Sequence, residues 1–155
     1  MTEEMVEAAR RHAVEAGHDN VTIFHGQIEK LPRDDASVDV VISNCVVNLS
    51  PDQPTVWREV FRVLKPGGRV AISDIVATRR LPAQLKDRPD LRCGCVSGAA
   101  ARDDLHRWLG EIGFDEIRLE AREESGRSIS QWLPDDTSGA EVISTMIHAI
   151  KPGDA

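Results

Sequence analysis

No stretch of this 155-residue chain approaches the unbroken apolar run, about 20 residues, that a membrane-spanning helix requires. Its first residues also lack the basic-then-apolar order of a secretory leader, so a soluble cytoplasmic protein is expected. Cysteine is scarce: three residues, an odd number, argue against a disulfide framework and predict reduced thiols. The five histidines are scattered and share no close helical spacing with one another or with the cysteines, which argues against a zinc site. Positive charge is in deficit. With 19 Lys and Arg against 26 Asp and Glu, the net charge of −7 and a pI near 5.2 argue against nucleic acid or an anionic membrane surface as partner. No internal repeat or low-complexity segment is visible, and the length suits one domain, residues 1–155, with a real core.

What is present alternates helix with strand. Residues 2–16 read as a helix, with Thr2 as N-cap, Glu3 and Glu4 in the first turn, an apolar stripe of Met5, Ala8, Ala9, Ala13 and Ala16, and Gly17 as terminator. Residues 21–24 read as a short strand, and residues 38–42 as a strand buried on both faces. A helix over residues 53–64 follows, with Val56, Trp57, Val60, Phe61 and Leu64 inward and Pro66-Gly67-Gly68 as its stop. Further strands are predicted over residues 69–76, 114–121 and 141–150, with a helix starting at Asp103 or Asp104, running to Ile112 and closed by Gly113. Residues 79–102 read as irregular. The pattern predicts a parallel α/β sheet with crossover helices. In such sheets the carboxyl ends of the strands face the ligand crevice, which directs attention to Ser43-Asn44-Cys45. Asp39 and Asp74 read as structural acids, Trp57 and Trp108 as core, Trp132 as the anchor of its loop, and His25 as a solvated strand-end residue.

Three segments carry a resemblance. Ser43-Asn44-Cys45-Val46-Val47-Asn48-Leu49-Ser50-Pro51, Arg58-Glu59-Val60-Phe61-Arg62-Val63-Leu64-Lys65-Pro66-Gly67-Gly68-Arg69 and Gly94-Cys95-Val96-Ser97-Gly98-Ala99 closely resemble the arsenite methyltransferases, a class I S-adenosylmethionine-dependent family. The second segment is common to many methyltransferases, whereas the first and third together are specific. The resemblance implies a Rossmann-like sheet with helices on both faces whose last two strands form an antiparallel edge, placing His148 in an edge strand. It also implies a missing part. The family's first strand, its GxGxG turn and the second strand with its ribose-binding acid have no counterpart here, so the first two strands are expected to be absent and the domain N-terminally truncated. The strand at 21–24 would then lack a lateral partner. Reduced stability, an altered arrangement of the first helix and strand, or association with a partner chain or second copy through the open sheet edge is the expected consequence.

By the same resemblance Cys45 and Cys95 are the catalytic thiols that bind As(III), while the family's further cysteine has no counterpart here; Cys93, two residues from Cys95, is an extra thiol that either substitutes as a ligand or faces solvent. Soft thiolates select such a thiophilic centre over oxygen donors. Taken alone, Cys45 also reads as a small buried hydrophobe. S-adenosylmethionine is the implied cofactor, with Gln27, Ile28 and Glu29 at the adenine, Asn44 beneath the cofactor and Met1 near the ribose. A thiol reductant of the glutathione or thioredoxin type is the implied partner. The competing reading is a non-catalytic thiol protein that binds arsenite or another soft metalloid without a cofactor.

Overall fold

The computed structural model describes residues 2–86, 95–130 and 141–153. Helix α1 (Glu3–Glu15) starts where local chemistry dictates: the Thr2 hydroxyl accepts the Met5 N–H at 3.4 Å, two glutamates face the positive end of the helix dipole, and Gly17 follows at φ 70°. The expected stripe holds in part: Ala8, Ala9 and Ala13 are half-buried, while Met5 and Ala16 are exposed. Val6 is the one fully buried residue of the helix, with Ala9 and Ala13 on its face, and Met5 is 58% exposed, because the larger Val6 buries more surface than any alanine and decides the helix's rotation.

Four strands form one sheet in the order β1-β2-β4-β3, from β1 (Val38–Asn44), β2 (Leu64–Ala77), β3 (Asp115–Ala121) and β4 (Val142–Ile150). Strands β1 and β2 are parallel, with Ile42 opposite Ala71 and Asn44 opposite Ser73. Helix α2 (Gln53–Val63) makes the crossover between them. It ends before the Pro-Gly-Gly turn, passing directly into extended Leu64, so Gly67 shapes a turn rather than capping the helix. Strand β4 runs antiparallel to both β2 and β3, pairing Ile147 with Ile72 on one side and with Leu119 on the other. The antiparallel strand is therefore interior, and His148, opposite Ala71 and Arg118, lies inside the sheet rather than on an edge strand.

Helix α4 (Arg102–Ile112), capped by left-handed Gly113 at φ 109°, packs with α2 on one face, where Trp57, Val60, Leu64, Ile72, Leu109 and Ile147 form the main core. Short α3 (Ala83–Lys86) and α5 (Ser125–Ser130) serve the other face, where Leu85 and Ile129 join Ile75, Cys95, Val96 and Val142 in a second cluster.

Two expectations fail along the β1 side. Residues 21–24 form no strand, because no strand lies beside them to complete a ladder. β1 is not buried on both faces either: it is an outer strand of the sheet, with Ile42 78% and Val40 37% exposed.

Candidate active site

β1 ends at Asn44, opposite Ser73 of β2, which runs on to Ala77. Cys45, the first residue past β1, takes the left-handed conformation at φ 52°, and Cys95 does the same at φ 61°. A side-chain-bearing residue held there costs about 1–3 kcal/mol, and such strain gathers at functional sites. The Cys45 N–H donates to the Ser73 carbonyl at 2.9 Å, which fixes the first thiol's residue beside β2. The Cys95 thiol donates to the Cys45 carbonyl at 3.3 Å, and neither residue is disulfide-bonded. Asp74 of β2 completes the group. One donor atom each from Cys45, Asp74 and Cys95 lies within 4.8 Å of the other two.

Burial sets the electrostatics. It is the main cause that pushes the Cys45 thiol above its ordinary range, the Asp74 charge adding to it, while the Cys95 hydrogen bond opposes. Asp74 is pushed up by burial too, against the backbone N–H groups of Ile75, Asn48 and Val47 that favour its charged form.

The frame around the thiols is built from polar residues between the elements. Asn48, in the 3₁₀ turn Val47–Leu49, donates through Nδ2 to the carbonyls of Ile75 at 2.6 Å and Cys95 at 3.1 Å. Its Oδ1 accepts from Gln53 Nε2 at 3.1 Å, and Gln53 also donates to the Gly98 carbonyl. Gly98 allows the two segments to touch: a Cβ there would sit 1.9 Å from the Asn48 carbonyl oxygen.

A cavity of about 810 Å³ opens next to the same turn. Phe24, Ile28 and Leu49 form apolar wall, with Gln27, Glu29 and Ser50 as polar lining. The Ser50 hydroxyl donates to Glu29 Oε1 at 2.5 Å, joining the loop over residues 26–33 to the turn that follows Cys45.

A family described as a methyltransferase domain matches residues 1–113. The chain belongs to this methyltransferase-domain family.

Relatives narrow the likeness. The domain is 45% identical over 152 residues to an arsenite methyltransferase of Halobacterium salinarum, covering 98% of this chain and 39% of that protein. It is 42% identical over 128 residues to an arsenite methyltransferase of Mus musculus, covering 77% of this chain and 34% of the mouse protein. A crystal structure of an arsenic(III) S-adenosylmethionine methyltransferase from Chlamydomonas reinhardtii superposes with a TM-score of 0.76 at 33% identity, over 98% of this chain and 53% of that one. The methyltransferase domain thus spans about two fifths of the length of the curated relative it matches over 98% of itself. A sarcosine dimethylglycine methyltransferase structure from Galdieria sulphuraria, TM-score 0.78 at 19% identity over 97% of this chain and 67% of that one, shares the fold.

The motif residues divide between two adjoining places in the methyltransferase domain. Cys45 and Cys95 meet at the thiol cluster, and Gln27, Ile28 and Glu29 line the cavity. Asn44 is an exposed residue at the end of β1 and belongs to neither set. Met1, Cys93 and Trp132 lie outside the described residues. Asp74, read from sequence only as structural, stands among the thiols. Asn48, Gln53 and Gly98 were missed, although Asn48 and Gly98 sit inside the two specific motifs.

The second motif segment, Arg58 to Arg69, has a positional task. Glu59 Oε1 accepts the Leu31 N–H at 2.7 Å, and Arg62 grips both Glu59 oxygens while donating to the carbonyls of Leu31 at 3.3 Å and Arg33 at 2.9 Å. The 26–33 loop is thereby pinned to α2.

Proposed function

We propose that this single domain, residues 1–155, serves S-adenosylmethionine-dependent methyl transfer to trivalent arsenic, with Cys45 and Cys95 as the arsenic-binding thiols. The observation that carries the reading is the convergence of two cysteines, both in strained left-handed backbone, where β1 ends beside β2. Each thiol that bonds to arsenic passes its proton to a hydroxide of As(OH)₃, which leaves as water. Two thiols release two waters and leave an As(III) centre that keeps its lone pair. The rigid Asn48 frame holds both sulfurs in place before substrate arrives, and positioning of this kind lowers the entropic part of a barrier.

The 810 Å³ cavity suits an adenine-bearing cofactor in size and character, apolar walls with a few polar groups. Gln27, Ile28 and Glu29 would hold the adenine end, and Met1 and Asn44 are the further candidates toward the ribose and beneath the cofactor. S-adenosylmethionine, when bound, supplies an electrophilic methyl group to which the As(III) lone pair is the acceptor. Cys93 joins as an additional thiol ligand. A cytoplasmic thiol reductant, of the glutathione or thioredoxin type, would keep the thiols competent between turnovers.

Equilibrium dialysis of the reduced chain against labelled S-adenosylmethionine, with and without arsenite, tests both halves. Micromolar cofactor binding and methylated arsenic in the product support the proposal. Arsenite retained by the chain with no methylated product overturns transfer by this chain and leaves a thiol-binding protein. Arsenite binding that survives Cys45→Ser and Cys95→Ser overturns the thiol assignment.

A further inference from the structure

Asp74 is a carboxylate in a place that calls for a counter-charge. It is 2% exposed, and among the described residues no Lys, Arg or His pairs with it. Its Oδ1 accepts the Ile75 N–H at 2.8 Å and its Oδ2 the Asn48 N–H at 3.4 Å, and the Val47 N–H also favours its charged form. A carboxylate has about four lone-pair positions, so backbone donors leave part of its capacity unused. Buried charges are normally paired or ligate a cation.

Two sulfurs lie close to that carboxylate. Cys45, Asp74 and Cys95 come from three separate segments, yet their donor atoms fall within 4.8 Å of one another. Two sulfurs and one oxygen from protein, with a fourth position open, is a donor set that zinc-class ions accept. Backbone contacts hold the set ready: Ser73 fixes Cys45, and Asn48 bonds both the Cys95 carbonyl and the Asp74 side chain.

We infer that Cys45, Asp74 and Cys95 form a two-thiolate, one-carboxylate site for a thiophilic divalent cation of the zinc and cadmium class. Binding releases both thiol protons to solvent, and the two thiolates and the carboxylate bring three negative charges to the divalent ion. The site overlaps the arsenic thiols, so such a cation competes with arsenite. It stands on geometry that does not depend on methyl transfer.

Cadmium chloride titrated into the chain, reduced with a phosphine rather than a competing dithiol, gives the test through the sulfur-to-cadmium charge-transfer band. One Cd²⁺ per chain with two thiolates is expected, and arsenite should displace it. Asp74→Asn should weaken Cd²⁺ binding at least about tenfold, the scale on which even outer-shell partners of metal sites act. The same variant should keep most of its arsenite affinity, which rests on As–S bonds. Cys93→Ser should leave the cadmium spectrum unchanged; loss of binding there, or a three-thiolate band in the parent chain, overturns the carboxylate's place. If Asp74→Asn fails to fold, infrared spectra of the unsubstituted chain decide: a carboxylate band that shifts on adding Cd²⁺ supports the site, and one that stays fixed overturns it. Failure of arsenite binding with Cd²⁺ binding intact would sink the arsenic reading and leave the cation site standing. Unchanged Cd²⁺ affinity in Asp74→Asn with thiol-dependent arsenite binding would do the reverse.

Discussion

Asn48 links three chain segments from one buried position: its side chain bonds the backbone of β2 and of the Cys95 segment and receives Gln53 from α2. Removing it strands two carbonyls and an amide donor in an enclosed space, at about 1–3 kcal/mol for each buried group left unmade. Asn48→Ala should therefore lower the urea midpoint well beyond the average substitution, and arsenite affinity should fall in the fraction that remains folded. Gly98→Ala should act through the same contact by pressing a methyl group onto the Asn48 carbonyl. Overpacking of this kind costs about 1–3 kcal/mol or more, and a sharp loss of stability by urea titration is expected. The sequence made the thiols legible because cysteine is rare here and two motifs surround it. The frame was harder to read: Asn48 meets its backbone partners 27 and 47 residues away, and only the register of β1 on β2 brings Asp74 beside Cys45.

Among the elements, α2 does more than fill the core. Its Glu59 and Arg62 hold the loop that lines the cavity, and the hydrogen bond from Arg62 is the main cause keeping the Glu59 carboxyl below its ordinary value of 4.5. A carboxyl depressed in the folded state contributes stability above its unfolded value and loses it as pH falls through the folded one. Stability should accordingly decline as pH drops below 4.5. Glu59→Gln should flatten that part of the profile, measured as urea midpoints across a pH series. Arg62→Ala should loosen the loop and weaken adenosine binding, read by calorimetry, more than it weakens arsenite binding. Helix α1 was legible from its Thr2 cap and Gly17, and α4 from its closing Gly113, because these are local signals; the start of α4 at Arg102, after Ala101, whose side chain makes no cap, was not. Residues 21–24 have the composition of a strand, but a strand is defined by its neighbour, and composition alone does not reveal whether one is there.

For the molecule as a whole, the sheet is unevenly protected. β2 and β4 have ladders on both sides, whereas β1 has one and leaves Ile42 78% exposed. Amide hydrogen exchange should be slowest in β2 and β4 and fastest, among the strands, along β1. An outer apolar strand invites pairing with other chains. Ile42→Lys should reduce self-association in sedimentation while changing monomer stability by no more than about 0.5 kcal/mol, as exposed positions generally do. The interior place of β4 has a consequence in time. Vectorial synthesis delivers β1, α2, β2, α4 and β3 before the strand that joins β2 to β3 exists. From the end of β3 to the end of β4 a ribosome needs roughly 1–6 s at about 5–20 residues per second. Throughout that interval β2 and β3 lack the strand that lies between them, and the edges it will cover stay open to other chains.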